Sequence, residues 1–248
     1  MATPVSRREA LGLLGAGALA AIAAACGGGG SSDSSSSNRS SSGGSATSSA
    51  PSSAAGSGSG ASTVSCVLAP EMTEGPYYLD GEAIRRDITE GKPGTPLRLD
   101  LTIVDADTCT PIPGASVEIW HADATGNYSG FGSTPSDSRF LRGIQTADDS
   151  GTVTFRTIYP GWYQGRAVHI HLKAHKGGNE VHTTQLFFDE ATSDAVYTSS
   201  PYDTRAGRRT TNAQDGIYRD GGATSTPAFT KDGDGYVGTL TLGIINSV

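Results

Sequence analysis

His169-Ile170-His171 places two imidazoles at alternate positions of an apolar run. In an extended strand residues i and i+2 point to the same face, so both rings converge while Ile170 faces away. Two imidazoles on one strand face are half of a transition-metal site. Taken alone, so short a motif also fits two surface or structural histidines. Tyrosine supplies the context. Tyr163 ends Tyr159-Pro160-Gly161-Trp162-Tyr163, where a Pro-Gly turn would swing the chain round before the histidines. Tyr128 ends Asp123-Ala124-Thr125-Gly126-Asn127-Tyr128. Phenolate is a hard anionic oxygen donor, and two phenolates with two imidazoles favour Fe(III) over the softer ions that seek thiolate. The lack of thiolate argues against a structural zinc site. Each tyrosine by itself fits core packing with a hydrogen-bonded hydroxyl.

The elements that must position these residues read as strands. Leu97–Val104, Ser116–Trp120 and Thr152–Ile158 alternate apolar and polar residues, as do Val168–Lys173, Thr184–Phe188 and Tyr236–Leu242. That is the period-two pattern of half-buried strands. Gly, Pro, Asp and Ser clusters separate them, and no segment carries a long helical period with caps. The expected fold is all-β, a β-sandwich domain over residues 64–248. Asp148-Asp149-Ser150-Gly151 and Asp232-Gly233-Asp234-Gly235 read as hairpin turns. The second resembles the start of a calcium loop but lacks that loop's later acidic ligand.

The chain has 248 residues and a formal net charge of −7, which argues against a nucleic-acid partner. Residues 1–26 read as an export signal. Arg7 and Arg8 lie in Ser6-Arg7-Arg8-Glu9-Ala10-Leu11, a twin-arginine pattern. The apolar run Ala10–Ala25 is short of the roughly 20 residues a membrane span needs and has signal-peptide form; a retained anchor helix is the alternative. Cys26 follows Ala23-Ala24-Ala25, which resembles a bacterial lipoprotein signal whose cysteine is lipidated; simple cleavage is the other reading. Residues 27–63, dominated by Gly, Ser, Ala and Thr, are expected to form a disordered tether. Export would put Cys66 and Cys109 in an oxidising compartment, where two such cysteines usually pair; two separate buried thiols are the alternative.

The assembled motifs resemble the intradiol ring-cleavage dioxygenases. The pieces are Glu74-Gly75-Pro76-Tyr77-Tyr78, Val117–Asp123 leading to Gly126-Asn127-Tyr128, Thr157–Tyr163, Arg166–His171, and Thr184–Phe188. They stand in family order and span most of residues 65–190. The resemblance implies a non-haem Fe(III) held by Tyr128, Tyr163, His169 and His171, with Tyr128 and His169 equatorial and Tyr163 and His171 axial. It implies an aromatic diol and O2 as substrates, with cleavage between the hydroxylated carbons to a muconate-type diacid. Tyr163 would take a substrate proton, Arg166 would stabilise developing negative charge, and Gln185 would orient the reacting molecule. Tyr77 or Tyr78 would border the mouth. Gly165 stands where some members carry a bulky residue, and the family's N-terminal helical dimerisation segment has no counterpart, so substrate size and oligomeric state stay open. Membrane contact is expected only through a lipid at Cys26, as in an exported, extracellular branch.

Two rival readings accompany this one. Pro113–Val117 and Gly151–Phe155 also resemble transthyretin-like sandwich modules, which bind without catalysis. A non-haem Fe(II) oxygenase would need two histidines and a carboxylate, for which Asp189 is available, but it leaves the tyrosines unexplained. His121, His175 and His182 are expected to be non-ligands.

Overall fold

The computed structural model describes residues 66–245. The signal segment, Cys26 and the tether at 27–63 lie outside the described residues. Eight strands form two four-stranded sheets. They are β1 (Pro96–Asp105), β2 (Ser116–Trp120), β3 (Arg142–Thr146), β4 (Thr152–Ile158), β5 (His169–Lys176), β6 (Asn179–Phe187), β7 (Ala228–Asp232) and β8 (Gly235–Ile244). One sheet runs β4-β1-β8-β7, with β1 and β8 parallel; the other runs β3-β2-β5-β6, antiparallel throughout.

The core follows from alternation. Leu97, Leu99, Leu101 and Ile103 of β1, with Val153 and Phe155 of β4, face Val117 and Ile119 of β2 and Ile170, Leu172 and Ala174 of β5. All are buried in one apolar cluster, and burial of this kind contributes about 25 cal/mol per Å2 of apolar surface. The polar members of the same strands must therefore point outward. On β2 and β5 those outward positions carry Glu118, Trp120, His169, His171 and Lys173, yet these too are buried. A second layer covers that face: the strap of residues 70–86, and the loops before β3 and before β5.

Three sequence expectations need correction. Asp148–Gly151 is not a hairpin turn, because β3 and β4 belong to different sheets. It is an Asx turn that carries the chain across the sandwich, with Asp148 Oδ1 accepting from Ser150 N and Thr152 N at 2.9 Å each. Strands β3 and β7 carried no clear alternation and were not expected. Two short helices, α1 (Glu190–Val196) and α2 (Gly216–Arg219), occur where the sequence shows no long helical period. By contrast, Asp232–Gly235 does close the β7–β8 hairpin.

Candidate metal centre on the outer face of a sheet

The strand register builds the site. Across the second sheet, Arg142 of β3 pairs with Trp120 of β2, Trp120 with His171 of β5, and His171 with Gln185 of β6. One row of four outward-facing residues thus sets an indole beside an imidazole. The Trp120 and His171 rings stack with centroids 4.9 Å apart and 4° between planes. His169 lies one step along the same face, its Nε2 3.1 Å from His171 Nε2.

The tyrosines arrive from two loops. Asp123 Oδ1 accepts from Thr125 N and Asn127 N, folding the turn that ends at Tyr128. Lys92 pairs with its other oxygen at 2.7 Å. Gly126, at φ +82°, sits against the Trp162 carbonyl, and Gly161 against the Asp123 and Ala124 backbone; a Cβ at either would collide. These two glycines let the loops approach closely enough to bring Tyr128 and Tyr163 together, with ring centroids 5.8 Å apart. The Tyr163 hydroxyl lies 3.0 Å from His169 Nε2. Tyr128 lies 6.0 Å from His171 by ring centroids. The structure therefore gathers all four expected ligands into one cluster.

The protonation states fit a cation. His169 Nδ1 is 2.7 Å from the Ala167 carbonyl. A carbonyl only accepts, so Nδ1 carries the proton and Nε2 presents its lone pair to the cluster. Burial, then the charge of Arg166, holds the His169 pKa down at about 3, and burial with His169 drives His171 well below the usual range. Both rings are neutral. Burial and the neighbouring Tyr163 push the Tyr128 phenol well above 10, and burial also raises Tyr163. The Tyr128 hydroxyl is buried with no hydrogen bond of full geometry, only the Tyr163 hydroxyl standing near it. Such an orphaned group calls for explanation. Two imidazole nitrogens and two phenol hydroxyls converging in a buried cluster match the donor set of a hard cation. The phenols would release protons on binding it.

Aromatic walls surround the cluster. Tyr77 stacks on Tyr128 at 4.3 Å and meets Tyr163 edge-on at 6.1 Å. Tyr78 packs edge-on against Trp120 at 5.1 Å, with Lys173 Nζ 4.1 Å from its ring centroid. Lys173 also pairs with Glu74 at 2.7 Å and Glu180 at 2.8 Å, which pins the strap over the sheet. At the open side, Arg166 donates from Nη2 to Gln185 Oε1 and from Nε to Asp215 Oδ2, the latter at 2.9 Å. Gln185 Nε2 donates to the Thr73 carbonyl at 2.8 Å.

The remaining expectations also have places. Cys66 and Cys109 form a disulfide with Cα atoms 5.5 Å apart. His121 is fully buried, donating from Nδ1 to the Ala122 carbonyl at 2.8 Å, with Nε2 2.7 Å from Thr157 Oγ1. His175 lies 3.5 Å from Glu118 and His182 2.8 Å from Glu71. Asp189 caps α1, accepting from Thr192 N at 2.8 Å, rather than joining the histidines. Among the described residues no three His, Cys, Asp or Glu side chains lie close enough to hold a metal, which disfavours the two-histidine, one-carboxylate alternative. Trp120, present in the sequence only as part of the Val117–Asp123 motif, and Asp215 stand outside the expected site residues. The indole could have been found from its parity with Glu118 on a strand beside the histidines. Asp215 left only the signal of a helix cap.

Comparison with known proteins places this geometry. A dioxygenase family model matches residues 73–202. The chain is 28% identical over 151 residues to a chlorocatechol 1,2-dioxygenase of Rhodococcus opacus, covering 53% of this chain and 58% of that protein. It is 33% identical over 162 residues to a catechol 1,2-dioxygenase of Acinetobacter baylyi, covering 56% and 51%. The chain thus spans about half the length of the curated relatives it matches. The structure of an intradiol ring-cleavage dioxygenase from Tetranychus urticae superposes with a TM-score of 0.69 at 41% identity, covering 73% of this chain and 95% of that one. The dioxygenase domain of a carbohydrate-binding fusion from Streptomyces sp. SirexAA-E gives a TM-score of 0.58 at 28% identity.

Proposed function

The chain belongs to the intradiol ring-cleavage dioxygenase family, and from that premise we propose that it is a non-haem Fe(III) enzyme that cleaves catechol-type diols with O2 between the two hydroxylated carbons. The observation that carries this reading is the convergence of Tyr163 Oη and His171 Nε2 on His169 Nε2, at 3.0 and 3.1 Å, beside the orphaned Tyr128 hydroxyl. Tyr128, Tyr163, His169 and His171 would hold the ion. Bound there, ferric iron would supply Lewis acidity that draws electron density from a chelated diol.

The chain's own groups divide the remaining work. Tyr128 is 4% exposed, whereas Tyr163 is only partly buried and lies nearer the open side. Tyr163 would be the phenol that takes up the diol proton at Oη, the role the family resemblance implies for it. Arg166 keeps its guanidinium at the mouth, its side chain 19% exposed. It would face negative charge as it develops on the ring, a preorganised role that needs no rearrangement during reaction. Gln185, held by Arg166 and the Thr73 carbonyl, would orient the reacting molecule. Tyr77 and the T-shaped ring of Phe131, 5.3 Å from it, would shield the cluster from water on that side.

The named activities of the relatives make catechol and chlorocatechol the first diols to try. We further propose that the chain is exported by the twin-arginine route and tethered through a lipid at Cys26; the disulfide of Cys66 and Cys109 suits an oxidising compartment. The test is oxygen uptake by the iron-loaded full chain against a panel of catechols, with product identification. Consumption of O2 with a muconate-type diacid supports the proposal. Cleavage outside the diol, or no uptake with any catechol, rejects it.

A further inference from the structure

We propose that Asp215 is a positioning residue for this site, one carboxylate that fixes both the Arg166 guanidinium and Ala167, the residue whose carbonyl sets the tautomer of His169. The inference rests on the metal and substrate roles proposed above. Asp215 lies beyond the residues 73–202 matched by the family model, yet its side chain is 2% exposed.

Its two oxygens face different ways. Oδ1 accepts from Ile217 N at 2.8 Å and Tyr218 N at 3.4 Å, the ordinary use of a helix-capping aspartate. A cap needs no more than that. Oδ2 instead turns to the site and accepts from Arg166 Nε at 2.9 Å and Ala167 N at 2.7 Å. From there two branches run inward. Arg166 Nη2 donates to Gln185 Oε1, so the guanidinium is held at both ends. The Ala167 carbonyl accepts from His169 Nδ1 at 2.7 Å, which keeps the proton there and frees Nε2 for a metal. Outer-shell partners of this kind orient a ligating imidazole and raise its basicity.

Three variants of the full chain test this: Asp215→Asn, Asp215→Ser and Arg166→Gln, with the Asp215→Asn/Arg166→Gln double. Iron affinity is read by chelator competition, and kcat and KM by oxygen uptake with catechol at saturating iron. Asp215→Asn is expected to weaken iron binding about tenfold and lower kcat about 10- to 100-fold. Arg166→Gln should lower kcat while iron affinity stays unchanged. Added to Arg166→Gln, Asp215→Asn should cost kcat less than about threefold more, because the two act on one group. Serine can cap the helix but cannot reach Arg166, so Asp215→Ser must show the same losses. Unchanged iron affinity in Asp215→Asn, full rescue by serine, or a rate loss that adds in full to that of Arg166→Gln each overturns the proposal. If the wild-type chain consumes no O2 with any catechol, the proposed activity fails, and the iron-affinity comparison alone decides the role of Asp215.

Discussion

At the scale of single residues, the chemistry was the most legible part of the sequence. The i, i+2 histidines need only a strand to converge, and strand β5 provides it. The tyrosines were legible as donor types; their meeting depends on Gly126 and Gly161, whose loops pack backbone to backbone in a way that no local pattern announces. Gly75 offers a test. It has φ +72°, and a Cβ there would lie 3.1 Å from His171 Cε1. Gly81 has φ +80° with nothing near. Either alanine should cost about 1 kcal/mol in backbone strain, but only Gly75→Ala should also weaken iron binding, measured by chelator competition. Equal iron affinity in the two variants would remove Gly75 from the site. A second test concerns Glu82. Its carboxylate is buried with neither oxygen hydrogen-bonded, and Arg142 stands 3.9 Å away. Burial, partly offset by Arg142, raises its pKa from the ordinary 4.5 to about 7. The folded state therefore holds this proton more tightly than the unfolded chain does. Its contribution to stability is full below about 4.5 and declines as pH rises through about 7. Denaturation of Glu82→Gln across that window should lack the decline seen in the wild type; identical slopes would contradict it.

Elements were legible where they alternate and obscure where they do not. Strands β1, β2, β4, β5, β6 and β8 show period-two patterning because each has one face in the core. Strand β3 is Arg-Gly-Ile-Gln-Thr, and β7 is largely exposed, so neither carries the signal. The Asp148–Gly151 turn looked like a hairpin because an Asx turn has the same composition whether it joins neighbours in one sheet or strands in two. Unreadable from periodicity was the strap of residues 70–86, which buries an outward face that alternation alone would leave wet. Its hold on the sheet runs through Lys173, whose side chain is 7% exposed and whose ammonium pairs with Glu74 and Glu180. Burial alone would lower the Lys173 pKa, but its bonds to Glu180 and Glu74 outweigh that and raise it. Lys173→Gln should cost about 1 kcal/mol and speed amide exchange in residues 72–78 relative to β1. Unchanged exchange there would show that aromatic packing alone holds the strap.

For the molecule as a whole, strand alternation between turn clusters points to an all-β domain, and the described residues form two sheets with few helices. The disulfide ties Cys66 at the start of the described chain to Cys109 beyond β1, 43 residues apart. In the chain-entropy view a loop of that size stabilises by about 4 kcal/mol. Cys66→Ser/Cys109→Ser should lose stability of that order in chemical denaturation while keeping its iron; loss of iron at full stability would contradict this division between frame and site. The central claim is that two phenol oxygens and two imidazole nitrogens share one ferric ion. Visible absorption of the iron-loaded chain tests it most directly. Phenolate ligation should give a phenolate-to-iron band that makes the wild type red to burgundy and weakens in Tyr128→Phe. A chain that holds one iron and remains colourless, or a Tyr128→Phe variant with an unaltered spectrum, would contradict it.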